Sequence, residues 1–103
     1  MAKFKIIWTE FAEQSLYEIL EFYLIQNKNN IFSKKLYNEI INSVQILEDY
    51  QLSGKQSLFY NYRELILERN SVFYNIIKDS VEILMVWDNR RNPEELLDIF
   101  EDL

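Results

Sequence analysis

At 103 residues, with 49% hydrophobic and 16% aromatic side chains, one glycine and one proline, the chain has the size and composition of one domain folded about one core, not of a disordered segment. It has no cysteine and no histidine, which excludes disulfides, thiolate nucleophiles, imidazole bases, Ser-His-Asp triads and Cys- or His-liganded metals, so chemistry would fall to Arg, Lys, Tyr or carboxylates. The formal net charge of -6 argues against a phosphate-rich partner, but residues 93–103 hold five of the acids and no base, while residues 51–92 carry six bases, including all four arginines, against five acids.

The N-terminal KFKIIW, residues 3–8, reads as a short strand. Two lysines there are followed by only Ile6 to Trp8 before Thr9 and Glu10, so no signal-peptide core forms and a cytoplasmic location is expected. Thr9 is a good N-cap. Behind it Ala12, Leu16, Ile19, Leu20 and Tyr23 form an apolar stripe with Glu13, Glu18 and Glu21 off it, which predicts an amphipathic helix over about 10–27. The polar run Gln26 to Asn30 breaks that helix. A second stripe at Phe32, Leu36, Ile40, Val44 and Leu47 predicts its hairpin partner.

Residues 50–61 contain the only glycine and no clear period, and are expected to form a loop. Three segments rich in β-branched and aromatic residues follow, at 62–68, 72–78 and 81–87, with short polar breaks between them. They predict consecutive antiparallel strands. The last is apolar on both faces apart from Glu82, as suits the centre of a sheet covered on each side. Its longest charge-free apolar run, Ile83 to Trp87, is far short of the roughly 20 residues that span a bilayer. Asn92-Pro93-Glu94-Glu95 offers an N-cap, Pro at the first helical position and an acid in the first turn, opening a short acidic helix. The expected fold is α+β: a helical hairpin packed on an antiparallel sheet, in the order βααβββα, as a single domain over 1–103. Neither a repeat nor a Gly-rich phosphate loop is present.

Arg90 and Arg91 come directly after the last strand, where a sheet would hold their planar guanidinium groups toward phosphates or carboxylates. The plainer alternative is that they are solvated or paired with the acidic helix just after them. Arg63 shares a strand face with Leu65 and Leu67 and would either orient a partner or pair with Glu64, Glu68 or a helix carboxylate. Trp87, Tyr74, Phe73, Tyr60 and Tyr62 offer stacking surfaces, with core packing as the alternative use. No cofactor and no metal are expected.

Trp8-Thr9 and Ala12 before the first helix, Tyr62-Arg63-Glu64-Leu65 opening the second strand, and ILMVWDNRRNP (83–93) closing the last resemble the RelE/ParE toxin superfamily of type II toxin-antitoxin systems over nearly the whole chain. The resemblance implies a toxin held inactive by a cognate antitoxin whose C-terminal segment wraps it, and a target that is either mRNA on the ribosome, which is cleaved, or DNA gyrase, which is inhibited. The ribonuclease branch relies on strand lysines and arginines and a late tyrosine. Here Asn75, Glu64 and Ile66 stand where basic residues would serve, no tyrosine follows Tyr74, and Asp88 or Asn89 stands in place of a histidine. Only Arg63, Arg90 and Arg91 survive as catalytic candidates. The balance favours a ParE-like toxin that acts by binding, possible contacts to target or antitoxin being Arg63, Tyr74, Trp87, Arg90 and Arg91. A ribosome-dependent endoribonuclease and a non-toxic binding module are the rivals. The antitoxin is expected to pack across the sheet onto Arg63 and the arginine pair, with no membrane partner and with a homodimer or a toxin-antitoxin hetero-oligomer as the open assembly states. The acidic C-terminal helix is expected to fold back and screen the arginines.

Overall fold

The computed structural model describes residues 3–57 and 60–102; Leu58 and Phe59, inside the expected loop, lie outside that range. In chain order the elements are β1 (Lys5–Trp8), α1 (Glu10–Asn27), α2 (Ile31–Gln45), a 3₁₀ turn (Ile46–Glu48), β2 (Lys55–Gln56), β3 (Arg63–Ile66), β4 (Asn70–Ile77), β5 (Ser80–Asp88) and α3 (Pro93–Asp102). The helices fall where the apolar stripes put them. The loop expected over 50–61 contains one more element, the two-residue strand β2.

Thr9 caps α1 by accepting the Ala12 N–H at 3.1 Å, and its hydroxyl donates to the Ile83 carbonyl of β5 at 2.9 Å. One side chain therefore starts the helix and fixes it to the sheet. α1 buries Ala12, Leu16, Ile19 and Tyr23, and α2 buries Leu36, Ile40 and Val44. The Ser33 hydroxyl donates to the Leu20 carbonyl at 2.8 Å and pins the two helices together.

The sheet order is β1-β5-β4-β3-β2. The three expected strands, β3, β4 and β5, pair antiparallel in turn, and β2 adds antiparallel to β3, but β1 runs parallel to β5, so the sheet is mixed. The hairpin α1–α2 is the reason: it carries the chain from β1 across one sheet face before the meander begins, a connection long enough to permit a parallel pair. The central place belongs to β4, and β5 is interior between β1 and β4.

Phe73 faces Met85 while the next residue, Tyr74, faces Ile83, which leaves Leu84 as an extra residue on β5. This bulge changes the side-chain phase of the strand. Val81, Ile83 and Val86 join the core under α1 and α2, whereas Met85 and Trp87 pack with Phe73 and Phe100 on the opposite face. The apolar character of β5 on both sides thus reflects two separate cores. On the second face α3 is held through Phe100, whose ring lies 5.1 Å from Tyr60, 5.5 Å from Tyr62 and 4.8 Å from Phe73 between centroids.

Candidate binding groove

Strand β5 ends at Asp88, and after it Arg90 lies against Tyr23 of α1 and Arg91 against Trp87 of β5. Arg90 is gripped by Asp88: its backbone N–H donates to Oδ1 at 3.0 Å, its Nε to Oδ1 at 3.4 Å and its Nη2 to Oδ2 at 3.3 Å. The Tyr23 hydroxyl of α1 donates to Asp88 Oδ2 at 3.2 Å, and the Arg90 guanidinium lies 4.9 Å from the centre of the Tyr23 ring. Arg91 sits 4.4 Å over the Trp87 ring and donates to Glu95 of α3 at 2.6 Å.

The expected screening by the acidic helix is therefore divided. Glu95 meets Arg91, whereas Arg90 is met by its own strand. Both members of the Arg91–Glu95 pair are about half exposed, at 48% and 52% of their side chains. Such a pair adds little to stability, and a partner's carboxylate can displace it.

Burial works to raise the Asp88 carboxyl, but the Arg90 hydrogen bonds and charge, joined by the Tyr23 hydroxyl, hold it below its ordinary value. Burial, then the Asp88 charge, raises the Tyr23 phenol. A carboxyl whose folded pKa lies below its unfolded one stabilises the fold fully above the unfolded value near 3.8, and that contribution disappears as pH falls through the folded value. In urea unfolding between pH 7 and pH 2, Asp88→Asn is expected to start less stable than the parent and to lose less on acidification. Identical slopes for the two proteins would remove Asp88 from the acid response.

Between α1 and α3, beside the end of β5, runs a groove of about 780 Å³. Phe11, Ile19 and Phe22 of α1, Met85, Val86 and Trp87 of β5 and Ile99 of α3 form its apolar walls, and Glu18, Asp88, Arg90 and Arg91 are its charged lining. The expected site residues Trp87, Arg90 and Arg91 are thus brought together. Trp87 is 4% exposed, so it contributes a wall and the platform under Arg91, not a protruding contact.

Arg63 and Tyr74 lie elsewhere. Arg63 pairs with Tyr74, four residues along β4 from the Asn70 that faces Asp88, about 13 Å away at strand rise. Its Nη1 donates to the Gly54 carbonyl at 2.8 Å. Tyr74, expected as a contact residue, is fully buried; its hydroxyl donates to the Gln51 carbonyl at 2.7 Å and accepts the Gly54 N–H at 2.8 Å. These two side chains latch the 51–54 segment onto the sheet. Where the ribonuclease pattern would place cations, the Ser71 hydroxyl donates to Glu64 at 2.6 Å and lies 3.1 Å from the Asn89 side-chain oxygen.

Asp88, Tyr23 and Phe22 were not legible as site residues. Tyr23 and Asp88 are 65 positions apart, and only the fold unites them. The available signals were that Asp88 or Asn89 stands where the resemblance would put a histidine, and that Tyr23 is a tyrosine on an otherwise aliphatic helix stripe.

The sequence profile of the ParE toxin of type II toxin-antitoxin systems, parDE, matches residues 6–93. The chain belongs to the ParE toxin family. Its place in such a pair is that of the toxin, and membership implies an antitoxin partner. No curated protein matches by sequence. Among solved structures, a chain from the chromosomal ParDE toxin-antitoxin system of P. aeruginosa is similar at a TM-score of 0.74 and 23% identity, covering 84% of this chain and 96% of that one. A conserved hypothetical protein from Helicobacter pylori is similar at 0.58 and 17%, covering 85% and 97%. At these identities the likeness is one of fold. In this ParE-family toxin, among the described residues, no helix is long and apolar enough to cross a membrane, and no cluster of three or more acids could hold a metal ion.

Proposed function

We infer that this toxin acts in the cytoplasm by binding, with DNA gyrase as its target, and that a cognate antitoxin neutralises it by filling the α1/α3 groove. The observation that carries this reading is the groove's make-up: apolar walls lined also by two guanidinium groups that are already oriented by ring faces and carboxylates. Arginines held in this way present donors to an incoming anion at small entropic cost.

The same arrangement is poor for cleavage. Asp88, the carboxylate at the end of β5, is engaged by Arg90 and held below its ordinary pKa. A base weakened in that direction gives little help to a 2'-hydroxyl. The face where cations would balance a phosphate carries Glu64 hydrogen-bonded to Ser71 instead.

Purified toxin at micromolar concentration is expected to inhibit gyrase supercoiling of relaxed plasmid. No inhibition, together with cuts in translated mRNA seen by primer extension, would replace this reading with ribonuclease action.

A further inference from the structure

A second cationic site lies on the other side of Arg90 from the groove. Here a cleft of about 270 Å³ is lined by Arg69 and Arg90, by Phe22, Tyr23 and Phe32, and by Gln26 and Asn27 at the end of α1.

Arg69 differs from the other three arginines. Arg63 donates to a backbone carbonyl, Arg90 is held by Asp88 and Arg91 by Glu95. Among the described residues no carboxylate lies within 4.0 Å of Arg69. Its guanidinium is instead placed 5.0 Å over the Phe32 ring. Stacking of this kind fixes the plane and leaves the N–H donors pointing outward from its rim.

The two arginines are also fixed relative to each other. Arg69 occupies the turn between β3 and β4, and its carbonyl accepts the Asn89 N–H at 3.0 Å. One residue on, the Asn70 amide donates to the Trp87 carbonyl at 3.3 Å. The backbone points that carry Arg69 and Arg90 are therefore tied together before any ligand arrives.

Size and charge narrow the occupant. The cleft is smaller than the roughly 300–1,000 Å³ of sites for small organic ligands, so it admits a side chain or a small oxyanion. Asp88 already offsets Arg90, and the C-terminal end of α1 at Asn27 adds roughly half a negative charge nearby. That leaves room for one anionic charge and not for several. A nucleic-acid backbone is further disfavoured by the chain's net charge of -6.

We propose that this cleft binds a single Asp or Glu carboxylate of the antitoxin, an anchor separate from the groove; the assignment rests on the antitoxin reading above. Arg69 is the principal donor. Arg90, shared between cleft and groove, couples the two.

The cleft itself is tested by following arginine Nε–H resonances during titration with sodium acetate and, separately, with inorganic phosphate. Acetate is expected to shift Arg69 saturably and to bind at least tenfold more weakly to Arg69→Gln, an exposed substitution whose folding is checked by circular dichroism. A non-saturating response, or phosphate binding tenfold tighter than acetate, would overturn the carboxylate assignment. The anchor is tested with the antitoxin, replacing each of its Asp and Glu residues in turn by the amide. Arg69→Gln is expected to weaken the complex about tenfold, and one antitoxin acid should lose its effect in that background. If Arg69→Gln binds like the parent while Arg90→Ala with Arg91→Ala does not, the anchor falls and the antitoxin reading stands. If the parent toxin binds no antitoxin, both fall.

Discussion

Replacing Gly54 with alanine is expected to lower stability by about 2–3 kcal/mol, the upper range for overpacking a filled site. At this chain length that corresponds to a fall in Tm of roughly 10–20 °C. A Cβ at position 54 would stand 2.6 Å from both Cε1 and the hydroxyl oxygen of Tyr74. Tyr74 has no exposed surface and lies in the core with Val72, Ile83 and Leu47, so the ring has nowhere to move. The added methyl would have to push the 51–54 segment away, breaking the bonds from Tyr74 to Gln51 and Gly54 and the bond from Arg63 to Gly54. Tyr74→Phe removes the hydroxyl and leaves the Gly54 N–H and the Gln51 carbonyl without it, at about 1–3 kcal/mol. Because both changes act on one contact, the double variant should cost less than the sum of the singles. Thermal unfolding of the four proteins gives the comparison. An unchanged Tm for Gly54→Ala would mean that the segment is not latched to the sheet.

The second large effect concerns binding. With the antitoxin as titrant, Arg90→Ala combined with Arg91→Ala should lose at least about 2 kcal/mol of affinity, or roughly thirtyfold, as expected for arginines at the centre of an interface. Arg63→Ala should change affinity by no more than about threefold, since that side chain faces Gly54 at the other part of the sheet. Calorimetry on the two variants separates the possibilities. Equal losses for both would place the antitoxin across the whole sheet, and no loss in the arginine pair would remove the groove from the proposed interface.

Much of the fold was legible because it depends on local pattern. The stripes of α1 and α2, the cap at Thr9 and Pro93 at the start of α3 each involve residues within a turn or two of one another. The direction of β1 was not legible, since alternation of side chains is the same in parallel and antiparallel strands. The bulge at Leu84 was hidden for a related reason: β5 is apolar at nearly every position, so a change of phase leaves no mark in its composition. In the site, Arg90, Arg91 and Trp87 could be read because they lie together in the chain. Tyr74 was misjudged as a contact because an aromatic strand residue reads alike whether it faces a partner or a core. Arg69 attracted no attention in the sequence, and its distinctness arises from Phe32 on another element and from the carboxylates that the fold gives to its fellow arginines.

The pairing of β1 with β5 stops at Trp8 and Ile83, so among the described residues the last five of the nine positions of β5, 84–88, have no strand on that side. Its Val86 N–H does not wait for one: it donates to the Ser15 hydroxyl of α1 at 2.9 Å. A free row of main-chain donors there would be a template on which any extended polypeptide, including a second copy of the toxin, could grow the sheet. One hydroxyl takes a donor out of that template beside the groove. A partner entering the groove must then be recognised by its side chains, which differ between sequences, and not by its backbone, which does not. On the antitoxin reading proposed above, Ser15 therefore weights recognition toward side chains, and Ser15→Ala is expected to return the Val86 N–H to that edge.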